Sequence, residues 1–310
     1  MFLGVQAILP LFIVIALGYL AKRTVLDVKM LPAINQFVYF LAVPALLFNA
    51  SSKEPIEGLI NFPSLSAFLL GVALTCFITY LGCRYFFHVQ GAEQQALRGL
   101  NGTFANYAYM GIPLSFGLLG DKAYGATVSV ILVGNLILIG GSQLLIEVFR
   151  QQGAGIKQVF SILDRSLLRN PIFLSTVLGL IFSANGLRVP GTIQSVLDML
   201  APAAIPVALF CLGASLQFSK TSMAYSELAW MVTVKLILHP ALTWGCFYLL
   251  GIDDPIWLLT TVLLTSLPTG ALAHVVALKY GIFEKETAQI IVTSTVFSLF
   301  SVSLWVGLLL

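Results

Sequence analysis

Residues 101–120 read Asn101-Gly-Thr-Phe-Ala-Asn106-Tyr-Ala-Tyr-Met-Gly111-Ile-Pro113-Leu-Ser-Phe-Gly-Leu-Leu-Gly120. The stretch is apolar enough to lie in a bilayer, yet Asn101, Gly102, Asn106, Gly111 and Pro113 interrupt it. Proline has no N–H and its ring clashes with the preceding turn, so a straight helix through Pro113 is not expected. A backbone group freed in lipid is costly unless protein or a wet cavity receives it. The stretch therefore predicts a broken membrane helix that the rest of the chain encloses.

The surrounding composition puts that break in a membrane. The chain has 310 residues, 58% of them hydrophobic and 9% charged, with a mean hydropathy of +0.96. Soluble chains carry about 25% charged residues. Hydrophobic runs near the ~20 residues needed to span a bilayer fall at about 3–20, 33–50, 64–87, 98–119, 125–148, 171–186, 194–217, 228–250, 255–280 and 287–309. This predicts an all-α polytopic membrane protein with ten spans. The first run ends in Ala21-Lys22-Arg23 without a small-x-small cleavage site and is read as a span, not a cleaved leader. Cys76, Cys83, Cys211 and Cys246 lie in apolar segments and form no metal-ligand spacing. Nothing suggests a cofactor or a nucleic-acid partner.

Charge placement tests the count. Joints after odd-numbered spans carry Lys22, Arg23, Lys29, Arg84, Arg98, Arg150, Lys157, Arg165, Arg169, Lys220, Lys279 and Lys285. Joints after even-numbered spans carry only Lys53, Lys122 and Arg188. The positive-inside rule then puts the odd joints in the cytoplasm and both termini outside. In a bacterium this is a multi-pass protein of the inner membrane.

The longest joint lies halfway, so a repeat is expected: 1–149, a cytoplasmic linker 150–170, and 171–310. Pro10-Leu-Phe-Ile-Val-Ile-Ala-Leu-Gly18 matches Pro171-Ile-Phe-Leu-Ser-Thr-Val-Leu-Gly179, and Pro44-Ala-Leu-Leu-Phe48 matches Pro206-Val-Ala-Leu-Phe210. After five crossings the second copy enters from the opposite side, so the repeat is inverted. Secondary transporters of that design bind substrate near the midplane, where broken helices meet. An interrupted fourth span then predicts an interrupted ninth, and Leu267-Pro268-Thr269-Gly270-Ala271-Leu272-Ala273-His274 supplies it.

A half-helix that starts at such a break presents free N–H groups and about half a positive charge. Two converging starts with no buried acid nearby suit an anion. Asn106 would hydrogen-bond it, with Tyr107, Gly111, Pro113, Asn135, Thr269, Gly270 and His274 around the site. Pro44, Pro113, Pro206, Pro268 and Ala273 are the positions expected to mark breaks or the crossing. The bland alternative for Asn106 is a proline kink with no ligand. Tyr107 and Tyr109 stack on a ligand or simply pack. Asn135 lines the site or bonds two helices together. Lys235 is a charge or coupling residue, or it snorkels to the interface. His239 shifts protons, or is satisfied by a neighbouring carbonyl. No acid lies deep in any span, and no phosphate-binding loop, HExxH or GxSxG occurs, so the chain does not read as an enzyme or an ATP-driven pump.

Asn106-Tyr-Ala-Tyr-Met-Gly-Ile-Pro-Leu114 resembles the N-x-x-x-M-G-I-P-L signature of the auxin efflux carrier family, which includes plant carriers and bacterial malonate and malate permeases. Ile34-Asn35-Gln36-Phe37-Val38 with Ala42-Val43-Pro44, and Leu267-Pro268-x-Gly270 with Ala277-x-x-Tyr280, are similar to its second and ninth spans. The resemblance implies two inverted five-helix repeats with helices four and nine crossing, as in the NhaA and bile-acid symporter folds. It also implies elevator-type alternating access and a small mono- or dicarboxylate or auxin-like anion as substrate. The expected partners are that anion, the bilayer and a second copy in a homodimer. Where plant carriers place a second proline at the ninth-span crossing, this chain has Ala273. The rival readings are an ion-coupled uptake symporter and a non-transporting sensor or scaffold on the same fold.

Overall fold

The computed structural model describes residues 2–52, 61–150, 169, 171–215 and 223–309. Most of the expected linker 150–170 therefore lies outside the described residues. Among those described, every regular element is helical. We label α1 Phe2–Thr24, α2 Leu31–Ser51, α3 Phe62–Tyr85, α4 Ala92–Thr103, α5 Ile112–Leu119, α6 124–149, α7 Pro171–Ala184, α8 Gly191–Ser215, α9 Tyr225–Leu249, α10 Pro255–Thr265, α11 Leu272–Tyr280 and α12 Glu284–Leu309. Among the described residues, six helical stretches are each long and apolar enough to cross a bilayer. One of them runs from Tyr109 to Phe149 and turns at Gly120, whose φ of 64° needs no Cβ. The fold is that of a polytopic membrane protein.

Local chemistry sets the helix starts. Asn61 caps α3 by accepting from the Ser64 N–H at 3.0 Å, and Asp254 caps α10 by accepting from the Trp257 N–H at 3.1 Å. The two caps are joined, Asn61 Nδ2 donating to Asp254 Oδ2 at 3.2 Å.

Three of the prolines read as breaks are not breaks. Pro44 and Pro206 lie inside α2 and α8, and Pro113 lies in the first turn of α5. Pro44 and Pro113 each follow a π turn, Val38–Ala42 and Tyr107–Gly111. Pro240 does the same after Val234–Leu238. The wide turn re-routes the ladder to i→i−5 bonds, so the helix passes the proline without unwinding.

Two sets of helices result. In the first, α1 packs along α8, α7 along α2, and α8 on α2. Backbones come into direct contact there. A Cβ on Gly18 would collide with the Phe210 carbonyl, one on Gly213 with the Ile15 carbonyl, and one on Gly179 with Ser51 and the Phe48 carbonyl. In the second set, α3 packs along α9 and α4, α4 on α6, and α10 on α9 and α6. Among the described residues, three ion pairs tie this second set: Arg98–Glu227 at 2.7 Å, Arg150–Glu93 at 2.8 Å and Lys279–Glu147 at 3.7 Å. The sets meet where α1 touches α12 and α5, and where α8 touches the π turn Tyr107–Gly111.

Candidate functional site

The helical ladder is interrupted at 104–106 and again at 266–271. These two interruptions lie against each other. The Asn106 N–H donates to the Pro268 carbonyl at 2.8 Å, and the Gly270 N–H donates to the Phe104 carbonyl at 3.0 Å. The result is a single antiparallel bridge between Ala105 and Thr269. Each break thus satisfies backbone groups of the other, which makes irregular chain tolerable in a buried place. The approach is close: a Cβ on Gly270 would lie 2.6 Å from the Ala105 carbonyl oxygen and 2.6 Å from the Phe104 ring.

The ends of the half-helices leading into the breaks are capped by side chains. Thr269 Oγ1 donates to the Asn101 carbonyl in the last turn of α4 at 2.8 Å. Lys235 Nζ donates to the carbonyl of Thr265, the last residue of α10, at 2.7 Å. Both fill acceptors that a helix C-terminus leaves open. Ser294 Oγ accepts from the Thr269 N–H at 3.2 Å. Asn101 Nδ2 donates to Thr287 Oγ1 at 3.0 Å, so α12 braces the crossing.

The half-helices that leave the crossing start there. Asn106 and Ala271 are the N-cap positions of Tyr107–Gly111 and Leu272–Tyr280. Asn106 is buried, yet its side chain makes no cap bond and its Nδ2 has no hydrogen-bond partner. The buried Tyr107 stacks edge-to-face on Phe104, with ring centroids 5.4 Å apart, and its hydroxyl has no partner. The Tyr107 ring lies 3.0 Å from where a Gly134 Cβ would be. The next residue is Asn135, whose Oδ1 is also buried without a partner. Buried polar atoms are normally bonded, so these three are exceptions.

The remaining candidates divide. Thr269 and Gly270 are at the bridge, but the Thr269 hydroxyl is donated to Asn101. Gly111 packs towards Leu264, 2.8 Å from where its Cβ would be, and Pro113 is buried in the turn beyond. Pro268 lies within the break, while Ala273 is buried in the first turn of α11. His274 follows it, half-buried, with its Nδ1 unpartnered. Lys235 is 0% exposed, so it does not snorkel. His239, one turn on, has Nδ1 3.4 Å from Lys235 Nζ and an unpartnered Nε2. The sequence reading missed Trp305, whose Nε1 donates to the Leu236 carbonyl at 2.8 Å. Its one signal is Pro240, which cannot supply that carbonyl's usual i+4 donor.

A family model described as "Membrane transport protein" matches residues 3–306. A Rhizobium meliloti (strain 1021) protein provisionally named a malonate transporter is 29% identical over 304 residues, covering 96% of this chain and 92% of its own. An uncharacterized transporter, YfdV, of Escherichia coli (strain K12) is 24% identical over 96% of this chain and 95% of its own. Auxin efflux carrier component 8 of Arabidopsis thaliana is 22% identical, covering 95% and 93%.

Proposed function

We propose, from the premise that this chain belongs to the membrane transport protein family, the family of the auxin efflux carriers, that it is a secondary carrier of small organic anions. The observation that carries the reading is that Asn106 Nδ2 and the Tyr107 hydroxyl are buried and unpartnered at the start of a half-helix, and that Asn135 Oδ1, one residue past the Gly134 that packs on the Tyr107 ring, is buried and unpartnered too. An anion there accepts from Asn106 and Tyr107 and faces the positive helix ends. Asn135 accepts from a hydroxyl or a protonated carboxyl of the substrate. The bacterial relative named for malonate favours a small carboxylate over a hormone.

The ten-span inverted repeat is supported by contacts that exchange under it. The bridge bonds pair Asn106 with Pro268 and Gly270 with Phe104, and swapping 104 with 268 and 106 with 270 turns one bond into the other. The matched Gly18 and Gly179 meet the carbonyls of the matched Phe210 and Phe48. With the two helix sets, this favours an elevator in which the set carrying the crossing slides against the other. Termini outside and a homodimer remain part of the proposal.

The test is Asn106→Ala in proteoliposomes with malonate as probe. Because the wild-type Nδ2 is unbonded, the variant should melt near the wild-type temperature. A lost charge-assisted hydrogen bond is worth roughly 1.5–3 kcal/mol, so malonate affinity should fall roughly 10- to 100-fold. Unchanged kinetics would sink the assigned site.

A further inference from the structure

Lys235 is a fully buried cation of the second helix set, and its nearest polar partners are uncharged or basic. Nζ donates to the Thr265 carbonyl at 2.7 Å and faces His239 Nδ1 at 3.4 Å. Among the described residues, no carboxylate pairs with it. On α3 the only charge is Arg84, in the last turn. On α4, Glu93 lies in the first turn and pairs with Arg150, while Arg98 pairs with Glu227 in the first turn of α9. α12 carries Glu284, Lys285 and Glu286 at its start, and α10 carries no titratable group. The remaining titratable side chains on these helices are Cys76, Tyr80, Cys83 and Tyr85 on α3, and Tyr225, His239, Cys246 and Tyr248 on α9.

Thr265 stands three residues before Pro268, whose carbonyl holds Asn106. Three residues of chain span at most about 10 Å, so a path of two hydrogen bonds and that short segment links the lysine to the anion site. We propose that Lys235 is the proton site of an anion–proton symport, which deepens and rests on the carrier reading above. A buried ammonium without a counter-ion is disfavoured. An anion at the crossing supplies that counter-ion. Proton and anion therefore raise each other's affinity by the same factor. The proton adds to the amine lone pair on one side of the membrane and leaves with the anion on the other. No other bond is made or broken. Thr265 and His239 hold the amine in place, and the Trp305–Leu236 bond fixes the π turn that carries it.

The experiment uses the full chain in proteoliposomes with labelled malonate and the membrane potential clamped. With one proton per anion, wild type should accumulate malonate up to about tenfold per unit of pH gradient. Lys235→Arg keeps a charge that does not come and go, so it should retain malonate–malonate exchange and lose accumulation. Lys235→Gln should also lose accumulation and bind about tenfold more weakly. In detergent, malonate added to wild type should draw protons from a weakly buffered pH indicator, which needs no variant to fold. Downhill movement alone in wild type, accumulation persisting in either variant, or no proton uptake on binding would overturn the symport. Absence of exchange in wild type with any mono- or dicarboxylate would instead overturn the carrier reading itself.

Discussion

Gly270 shows at a single residue what the crossing demands. A methyl group there would lie 2.6 Å from both the Ala105 carbonyl oxygen and the Phe104 ring. Backbone cannot move aside without parting the bridge, so Gly270→Ala should lose about 1–3 kcal/mol, seen as a lower denaturation midpoint in detergent. Gly117, with nothing within 4 Å of its would-be Cβ, is the control, and Gly117→Ala should change stability little. Thr269 and Asn106 separate in the same way. The Thr269 hydroxyl is donated to the Asn101 carbonyl, whereas Asn106 Nδ2 has no protein partner. Thr269→Val should therefore lower stability by about 1–3 kcal/mol before it alters malonate affinity. Asn106→Ala should do the reverse. Melting curves with and without malonate read both, because a ligand that binds the native state raises its midpoint.

At the scale of the element, the lesson is how a helix passes a proline. Pro240 removes the N–H that would serve the Leu236 carbonyl, and Trp305 Nε1 serves it from α12 at 2.8 Å. Trp305→Phe removes that donor and should cost about 1–3 kcal/mol. Pro240→Ala restores a local donor, so the same Trp305 change should cost less in that background. A double-mutant cycle should return a coupling of about 1 kcal/mol, and an additive result would show that the two do not share the carbonyl. This also explains what could be read from the sequence. Composition and apolar runs gave the membrane class, and the Pro–Gly motifs directed attention to 101–120 and 267–274, where the breaks lie. Proline itself misled: Pro44 and Pro113 sit in helices just past π turns, and the break ahead of Pro113 is at 104–106. That break is made by bonds to Pro268 and Gly270, far along the chain, which a local reading cannot supply. Lys235 was undecided for the same reason, since its acceptor is the Thr265 carbonyl on another helix.

Across the whole molecule, the two helix sets differ in how they are held. α1, α2, α7 and α8 are joined backbone to backbone at Gly18, Gly179 and Gly213. The second set is tied by Arg98–Glu227, Arg150–Glu93 and Lys279–Glu147, and by the crossing itself. Each set is thus cross-linked internally, while α1 meets α12 along helix faces. If the second set carries the anion as a body, sliding must occur there and where α1 touches α5 and α8 touches the π turn Tyr107–Gly111, not within either set. A cysteine pair bridging α1 and α12, in a chain freed of Cys76, Cys83, Cys211 and Cys246, should stop malonate flux on oxidation and release it on reduction. Malonate should still raise the melting temperature of the oxidised protein, since the site lies wholly on one side of the link. A pair bridging α3 and α9, which pack within the second set, should leave flux intact when oxidised. Full flux through the α1–α12 link would mean that the sets do not move past each other, and a smaller gating motion at the crossing would have to carry the anion.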